Sequence, residues 1–462
     1  MSVMVIKNAQ YLLTLDQKRR IFKDGALVVK DDRIVWLGKT CDLLMDEYTN
    51  AEIIDATGMV VAPGLINCHL HSTQQLARGL GDGLFLQTYI HERIFPFEAA
   101  LDEEDVHVSA LCACLEAIKS GTTCFVDPGG YHMDRVARAV EASGCRAILQ
   151  RSLVDLHSGG SPVPGKLKES AQQAAQAGEE FVQQYNGWAK GRIRAWFSLR
   201  TERTTSEELM REVKRLAAHY QVGVSSHVSN QLDSVERHKE LFRGLTPIKR
   251  FHKAGLLGKN LMIFHANHLT PEEIELVISN DVKVVHCPTS ARASASGALK
   301  AQHLYMMKRG ATIAVATDTA ACSNTNDMLA AMYALTAHRD VKKDPTVLPP
   351  EEILEMATLN AAKAALWDDE IGSLEIGKQA DIILFNTLVP SWTPLYNPVS
   401  TLVHAANSDS VHTTIVAGKI LMRNRKVITL DEQAVLQEGQ LRARKVAERA
   451  GLSHIGPAWR VV

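Results

Sequence analysis

Eight short apolar runs recur through the middle of the chain, each separated from the next by a helix-like stretch. They fall at 59–69, 121–127, 146–151, 194–200, 222–228, 261–265, 282–286 and 312–318. Most are apolar throughout rather than alternating, as expected of strands buried on both faces. The stretches between them carry helix-start signals. Thr205-Ser-Glu-Glu208 reads as a capping box, with Leu209, Val213, Leu216 and Ala217 following on one face. Thr270-Pro-Glu-Glu273 reads as another, with Pro271 at the first helical position, and Pro350 opens a last long helix. Eight strands alternating with helices predict an α/β fold, a (β/α)8 TIM barrel.

The flanks differ in pattern. Residues 1–58 read as short strands, with Ala26–Lys30 and Ile34–Leu37 on either side of a turn at Asp31-Asp32-Arg33. Strand character returns near 380–385 and 414–421, and 431–450 reads as a polar amphipathic helix. The expectation is a barrel over 59–368 and one small β-sandwich domain built from both chain ends, 1–58 and 369–462. The chain has 462 residues and 46% apolar content, enough for a barrel core plus an accessory domain.

The histidines are placed suggestively. His69 and His71 end the first run, two residues apart, so in a strand they share a face. His227 ends the fifth run, His265 the sixth and Asp318 the eighth. Barrel active sites sit at the C-terminal ends of strands. A single strand histidine is usually a hydrogen-bonded core residue; five candidates at matching ends of four strands point to a metal site. Imidazoles with a carboxylate suit Zn²⁺, Fe²⁺ or Co²⁺.

Several longer motifs carry a resemblance. Val61-Ala-Pro-Gly-Leu-Ile-Asn-Cys-His-Leu-His71, His265-Ala-Asn-His-Leu269, His286-Cys-Pro-Thr-Ser290, Ala316-Thr-Asp-Thr-Ala-Ala-Cys-Ser-Asn324 and Ile371-Gly-Ser-Leu-Glu-Ile-Gly-Lys-Gln-Ala-Asp381 stand in that order. With them the chain resembles the amidohydrolase superfamily, in the branch of atrazine chlorohydrolase, triazine hydrolases and guanine- or adenosine-type deaminases. The resemblance implies that His69, His71, His227 and Asp318 hold one divalent metal, zinc first, with iron or cobalt as alternatives. It further implies that the metal lowers the pKa of a bound water, that Asp318 takes the water's proton, and that His265 polarises the attacked carbon's substituent. Two-metal relatives bridge their ions with a strand-4 lysine. Residues 192–200 contain none, so a single ion is expected.

The chain departs from that pattern at three places. Deaminases of this branch read His-x-x-Glu after strand 5; this chain reads His227-Val-Ser-Asn230. An amide positions a substrate but cannot act as a carboxylic acid. After strand 4 stands Arg200-Thr-Glu-Arg203, where Arg200 could polarise a carbonyl and Glu202 replace the missing acid. On strand 7, Ala291-Arg292 stands where Asn is common. These departures are similar to those of phenylurea and thiocarbamate (molinate) hydrolases. The reading is therefore a mononuclear amidohydrolase cutting a urea, carbamate, thiocarbamate or amide C–N bond. The alternative is a deaminase or dechlorinase of a triazine-, purine- or pterin-type ring. Candidate substrate contacts are Gln74, Gln75, Arg78 and Tyr89 after strand 1, and Asp155 and His157 after strand 3.

Composition bears on partners. A net charge of −1 argues against a nucleic-acid or membrane-surface footprint. The eight cysteines are scattered with no Cys-x-x-Cys, and the N-terminus lacks signal-peptide character, so a cytoplasmic protein with reduced thiols is expected. Its relatives lead us to expect a homodimer or larger, with Leu84, Phe85, Leu86, Tyr89 and Ile90 contributing to the interface.

Overall fold

The computed structural model describes residues 2–156, 169–296, 302–457 and 459. The N-terminal part forms five strands: β1 (Val3–Leu13), β2 (Ile21–Lys30), β3 (Arg33–Lys39), β4 (Glu52–Asp55) and β5 (Met59–Pro63). The barrel strands follow as β6 (Leu65–Asn67), β7 (Thr122–Asp127), β8 (Arg146–Leu153), β9 (Ile193–Thr201), β10 (Val224–Val228), β11 (Leu261–His265), β12 (Lys283–His286) and β13 (Ile313–Val315). The C-terminal part adds β14 (Ile382–Asn386), β15 (Val411–Val416), β16 (Lys419–Arg423) and β17 (Lys426–Val427).

The eight barrel strands pair in chain order, all parallel. A parallel bridge between Leu70 and Asp318 joins the first to the last and closes the cylinder. The expected TIM barrel is therefore present. The two chain ends meet in a separate mixed sheet of nine strands, in which β5 lies between β1 and β14. Leu12, Leu27, Ile34, Val61, Ile382 and Leu384 form its core, so neither chain end buries its apolar face without the other.

The expected single strand over 59–69 is two strands in two sheets. Met59–Pro63 pairs in the small sheet, and Leu65–Asn67 begins the barrel. Gly64 makes the crossing. A Cβ there would lie 1.9 Å from Thr123 Oγ1 on β7, so a side chain would close the passage. Its N–H donates to the Asp381 carbonyl across the junction at 2.9 Å.

Two helix expectations also shift. The helix Glu207–Tyr220 is capped by Ser206, whose side chain accepts from Leu209 N at 3.0 Å, rather than by Thr205. The long helix from Pro350 is two short ones, Pro350–Met356 and Leu359–Ala364. The Thr270 box forms as expected, with Thr270 and Glu273 capping each other's N–H.

A buried ion pair ties barrel to small sheet. Arg146, at the start of β8, donates to both Asp381 oxygens at 2.8 and 2.9 Å, with the side chains 0% and 3% exposed. No helix among the described residues is long and apolar enough to cross a membrane, and all eight cysteines are free.

Candidate active site

The ends of β6 and β13 are laced together by side chains. Asn67 Nδ2 donates to Thr317 Oγ1 at 2.7 Å, and Thr317 N donates back to Asn67 Oδ1 at 3.2 Å. Asp318 N donates to the His69 carbonyl at 2.9 Å. Asp127, ending β7, accepts from Ser72 N at 3.0 Å and so fixes the chain just past His71. These bonds bring residues some 250 positions apart into register.

His69, His71 and His227 converge, each offering a nitrogen within 4.8 Å of the others'; His69, His265 and Asp318 form an overlapping group on the same criterion. His69 Nε2 lies 3.3 Å and His71 Nε2 3.5 Å from Asp318 Oδ1. His227 Nε2 lies 3.3 Å from His71 Nε2. His227 Nδ1 is 2.7 Å from the Arg200 carbonyl, which only accepts, so Nδ1 carries the proton and Nε2 presents its lone pair. His69 stacks on Phe264, centroids 3.9 Å apart. Asp318 Oδ2 accepts from Ser290 Oγ at 2.6 Å, leaving Oδ1 to the imidazoles.

Burial sets the charges. It pushes His71 and His227 well below the usual histidine range and His265 to about 4, so these rings are neutral at pH 7. Burial alone would raise Asp318, but the imidazoles packed around it, His69 first and then His265 and His71, hold its carboxyl well below the usual carboxylate range. His69 Nε2, buried in this cluster, has no hydrogen-bond partner, at a cost of about 1–3 kcal/mol. Ligation relieves that cost. Neutral imidazoles and an ionised carboxylate are the donor set of a divalent metal of borderline softness.

Above this cluster lies a cavity of about 1130 Å³, its open mouth included. His71, His227, His265, Asp318 and Asn230 line it, as do Arg200, Glu202, Gln74 and Tyr89. Asn230 Oδ1 lies 3.3 Å from Asn267 Nδ2, which donates to it, so the Asn230 amide can offer its N–H₂ to the cavity. Glu202 is 4% exposed; burial raises its carboxyl, against the opposing charge of Arg203.

Other expected contacts lie elsewhere. Arg78 pairs with Glu116 outside the cavity wall, and Gln75 also donates to Glu116, at 2.6 Å. Asp155 accepts from Ser206 N at 2.8 Å and so anchors a helix start. His157 lies outside the described residues. Of the apolar residues expected at an interface, Leu86, Tyr89 and Ile90 line the cavity.

Two site residues are not singled out by the sequence reading. Glu98, 2% exposed, accepts from Gln74 Nε2 at 2.8 Å and from Arg200 Nη2 at 2.8 Å, holding both at the cavity wall. One glutamate in the Phe95-Pro-Phe-Glu98 turn that opens a short helix carries no pattern that could have marked it. Ser290 was within reach, as the last residue of the His286-Cys-Pro-Thr-Ser290 motif.

A closed parallel barrel with these groups at its strand ends defines a hydrolase of the amidohydrolase class. The profile of the amidohydrolase family matches residues 60–421, and the chain belongs to that family. It is 36% identical over 452 residues to a 5'-deoxyadenosine deaminase of Methanosarcina acetivorans, covering 97% of this chain and 100% of that one. An adenosine deaminase of Xanthomonas campestris with bound zinc superposes with a TM-score of 0.87 at 26% identity, over 96% of this chain and 98% of that one. An atrazine chlorohydrolase of Arthrobacter aurescens TC1, complexed with zinc, shares the fold at a TM-score of 0.86 and 22% identity, over 95% and 100%.

Proposed function

We propose that the protein is a single-metal hydrolase that deaminates an N-heterocycle, of the purine-nucleoside type. The observation that carries this reading is the end-to-end similarity to a 5'-deoxyadenosine deaminase, 36% over 97% of the chain. It places the ring-amine alternative ahead of the urea or carbamate reading drawn from the sequence.

His69, His71, His227 and Asp318 would hold the ion. When bound, it supplies a Lewis acid that lowers the pKa of water toward neutrality. Asp318, kept ionised by its imidazole neighbours, accepts the proton of the attacking water at Oδ1 while Ser290 holds Oδ2. His265, neutral above about pH 4, polarises the substituent on the attacked carbon. Glu202 is the cavity's other carboxyl and the candidate to deliver a proton to a ring nitrogen. Asn230 positions the substrate through its amide N–H₂. Tyr89 and Gln74 form part of the wall against which a planar substrate lies.

A second reading rests on Asn230. Cleavage of a urea or carbamate C–N bond needs no ring-nitrogen protonation, so an amide suffices at that place. The two readings part on their products. Metal-loaded protein is given 5'-deoxyadenosine and, separately, an N-aryl urea. Ammonia from the nucleoside supports deamination. Aryl amine from the urea, with an inert nucleoside, replaces that reading with the second.

A further inference from the structure

Beyond the cavity wall three more buried histidines stand in a row. His286 ends β12, His303 lies on the helix Gln302–Lys308, and His338 lies on the helix Ala337–Lys342. All three are at most 2% exposed, and none lines the cavity. The His286 and His303 rings stack, centroids 4.3 Å apart and planes 27° apart. His338 Nε2 lies 3.3 Å from His286 Nε2. At the other end of the row, His303 Nε2 lies 2.8 Å from the carbonyl oxygen of His265. A carbonyl only accepts, so His303 Nε2 carries the proton and donates it.

That carbonyl belongs to an unusual peptide. His265 and Ala266 both have left-handed backbones, with φ of 70° and 51°. Neither is glycine, so the surroundings must impose the conformation. Gln302 Nε2 donates to the Ala266 carbonyl, and Ala266 N donates to the Val228 carbonyl at 3.0 Å. The two left-handed carbonyls are thus gripped by successive residues of one helix. Packing alone would be served better by leucine or phenylalanine. An imidazole at 303 leaves its Nδ1 buried without a partner, a cost that the Nε2 bond offsets.

We propose that His303 is a positioning residue for His265. By holding the His265 carbonyl it fixes the left-handed turn that sends the His265 imidazole back toward His69 and Asp318, and His286, itself in contact with His338, stacks on the His303 ring. The inference rests on His265 acting on the substrate.

The test uses His303→Gln, which keeps a donor at the Nε2 position, and His303→Leu, which fills the space without one. Crystal structures of both come first. The Gln variant should keep the His265 φ near its wild-type value. The Leu variant should let that peptide relax and carry the imidazole away from Asp318. On whichever substrate, 5'-deoxyadenosine or N-aryl urea, the wild type turns over, the Leu variant should lose about tenfold or more in kcat. KM and metal content should change little, and Gln should restore most of the rate. An unmoved His265 peptide in the Leu variant overturns the inference, whatever the kinetics. So does an equal loss in Gln and Leu, which marks His303 as packing only. A fully active His265→Asn variant instead overturns the reading on which the inference rests, so the two failures are told apart.

Discussion

Asp318 does three jobs: Oδ1 faces two imidazoles, Oδ2 takes a serine hydroxyl, and the backbone closes the barrel. Asp318→Asn keeps the shape and removes the charge. We expect the purified wild type to carry about one ion per chain by elemental analysis, as in single-metal barrel sites. The Asn variant should lose most of it together with activity. Two tightly held ions in active protein would contradict the single-site reading. Asn230 is the residue where the two functional readings diverge. If a proton shuttle has been lost there, Asn230→Glu should raise ammonia release from a ring amine by about 10²–10⁴-fold, the usual worth of general acid–base catalysis. With Glu202 as the proposed acid, we expect no such gain; the added carboxylate brings negative charge beside Asp318. Glu202→Gln should then lower kcat at unchanged metal content, and full activity in that variant would remove Glu202 from the mechanism. The clustering of His69, His71, His227, His265 and Asp318 was legible in the sequence because these residues stand at the ends of apolar runs, and strand-end position is a local property. Glu98 and His303 were not. Each reaches the site through contacts across the fold, and nothing in their immediate neighbours marks them.

The passage from β5 to β6 is the element where sequence and structure part most sharply. Residues 59–69 read as one strand, bent at Pro63-Gly64 and resumed at Leu65-Ile66, because the runs on both sides of the bend are apolar. Nothing in the pattern records that β5 is buried in one sheet and β6 in another. Only the close approach of Thr123 makes Gly64 obligatory, and that contact is long-range. Gly64→Ala should therefore destabilise well beyond an ordinary surface change, by about 1–3 kcal/mol as for overpacking in a core. Thr123→Ala, which removes Oγ1 and Cγ2 from the clash, should recover part of that loss in a double-mutant cycle read by denaturant unfolding. If the double variant is no better than Gly64→Ala alone, the crossing is not limited by that contact. The barrel strands themselves were readable because burial on both faces gives an unbroken apolar signature. The two short helices after Pro350 were not, since the break at Ala357-Thr358 has no glycine or proline to announce it.

At the scale of the molecule, barrel and small sheet are coupled through Arg146 and Asp381. Removing one partner leaves a buried charge alone, so Arg146→Met should cost about 3–5 kcal/mol, and Arg146→Met with Asp381→Leu should be milder than either single change. The buried histidines set the acid limit. Burial lowers His265, His303 and His338 to about 4 and His238 to about 3. Unfolded histidines titrate near 6.5, so below that pH the unfolded chain gains protons that the folded one refuses. Their contribution is whole above about 6.5 and is lost as pH falls toward 4. Asp327, raised to about 6 by burial, opposes them but is outnumbered. The melting temperature of chelator-stripped protein should fall steadily from pH 7 to pH 5, and a flat profile would count against neutral buried imidazoles. Barrel closure between Leu70 and Asp318 carries a consequence for biosynthesis. A chain still emerging from the ribosome, with its first 311 residues made, lacks Asp318, the proposed carboxylate ligand, and has an open seam where β13 belongs. On the proposed ligand set, metal loading is therefore ordered in time: all four donors come together only after the final barrel strand docks.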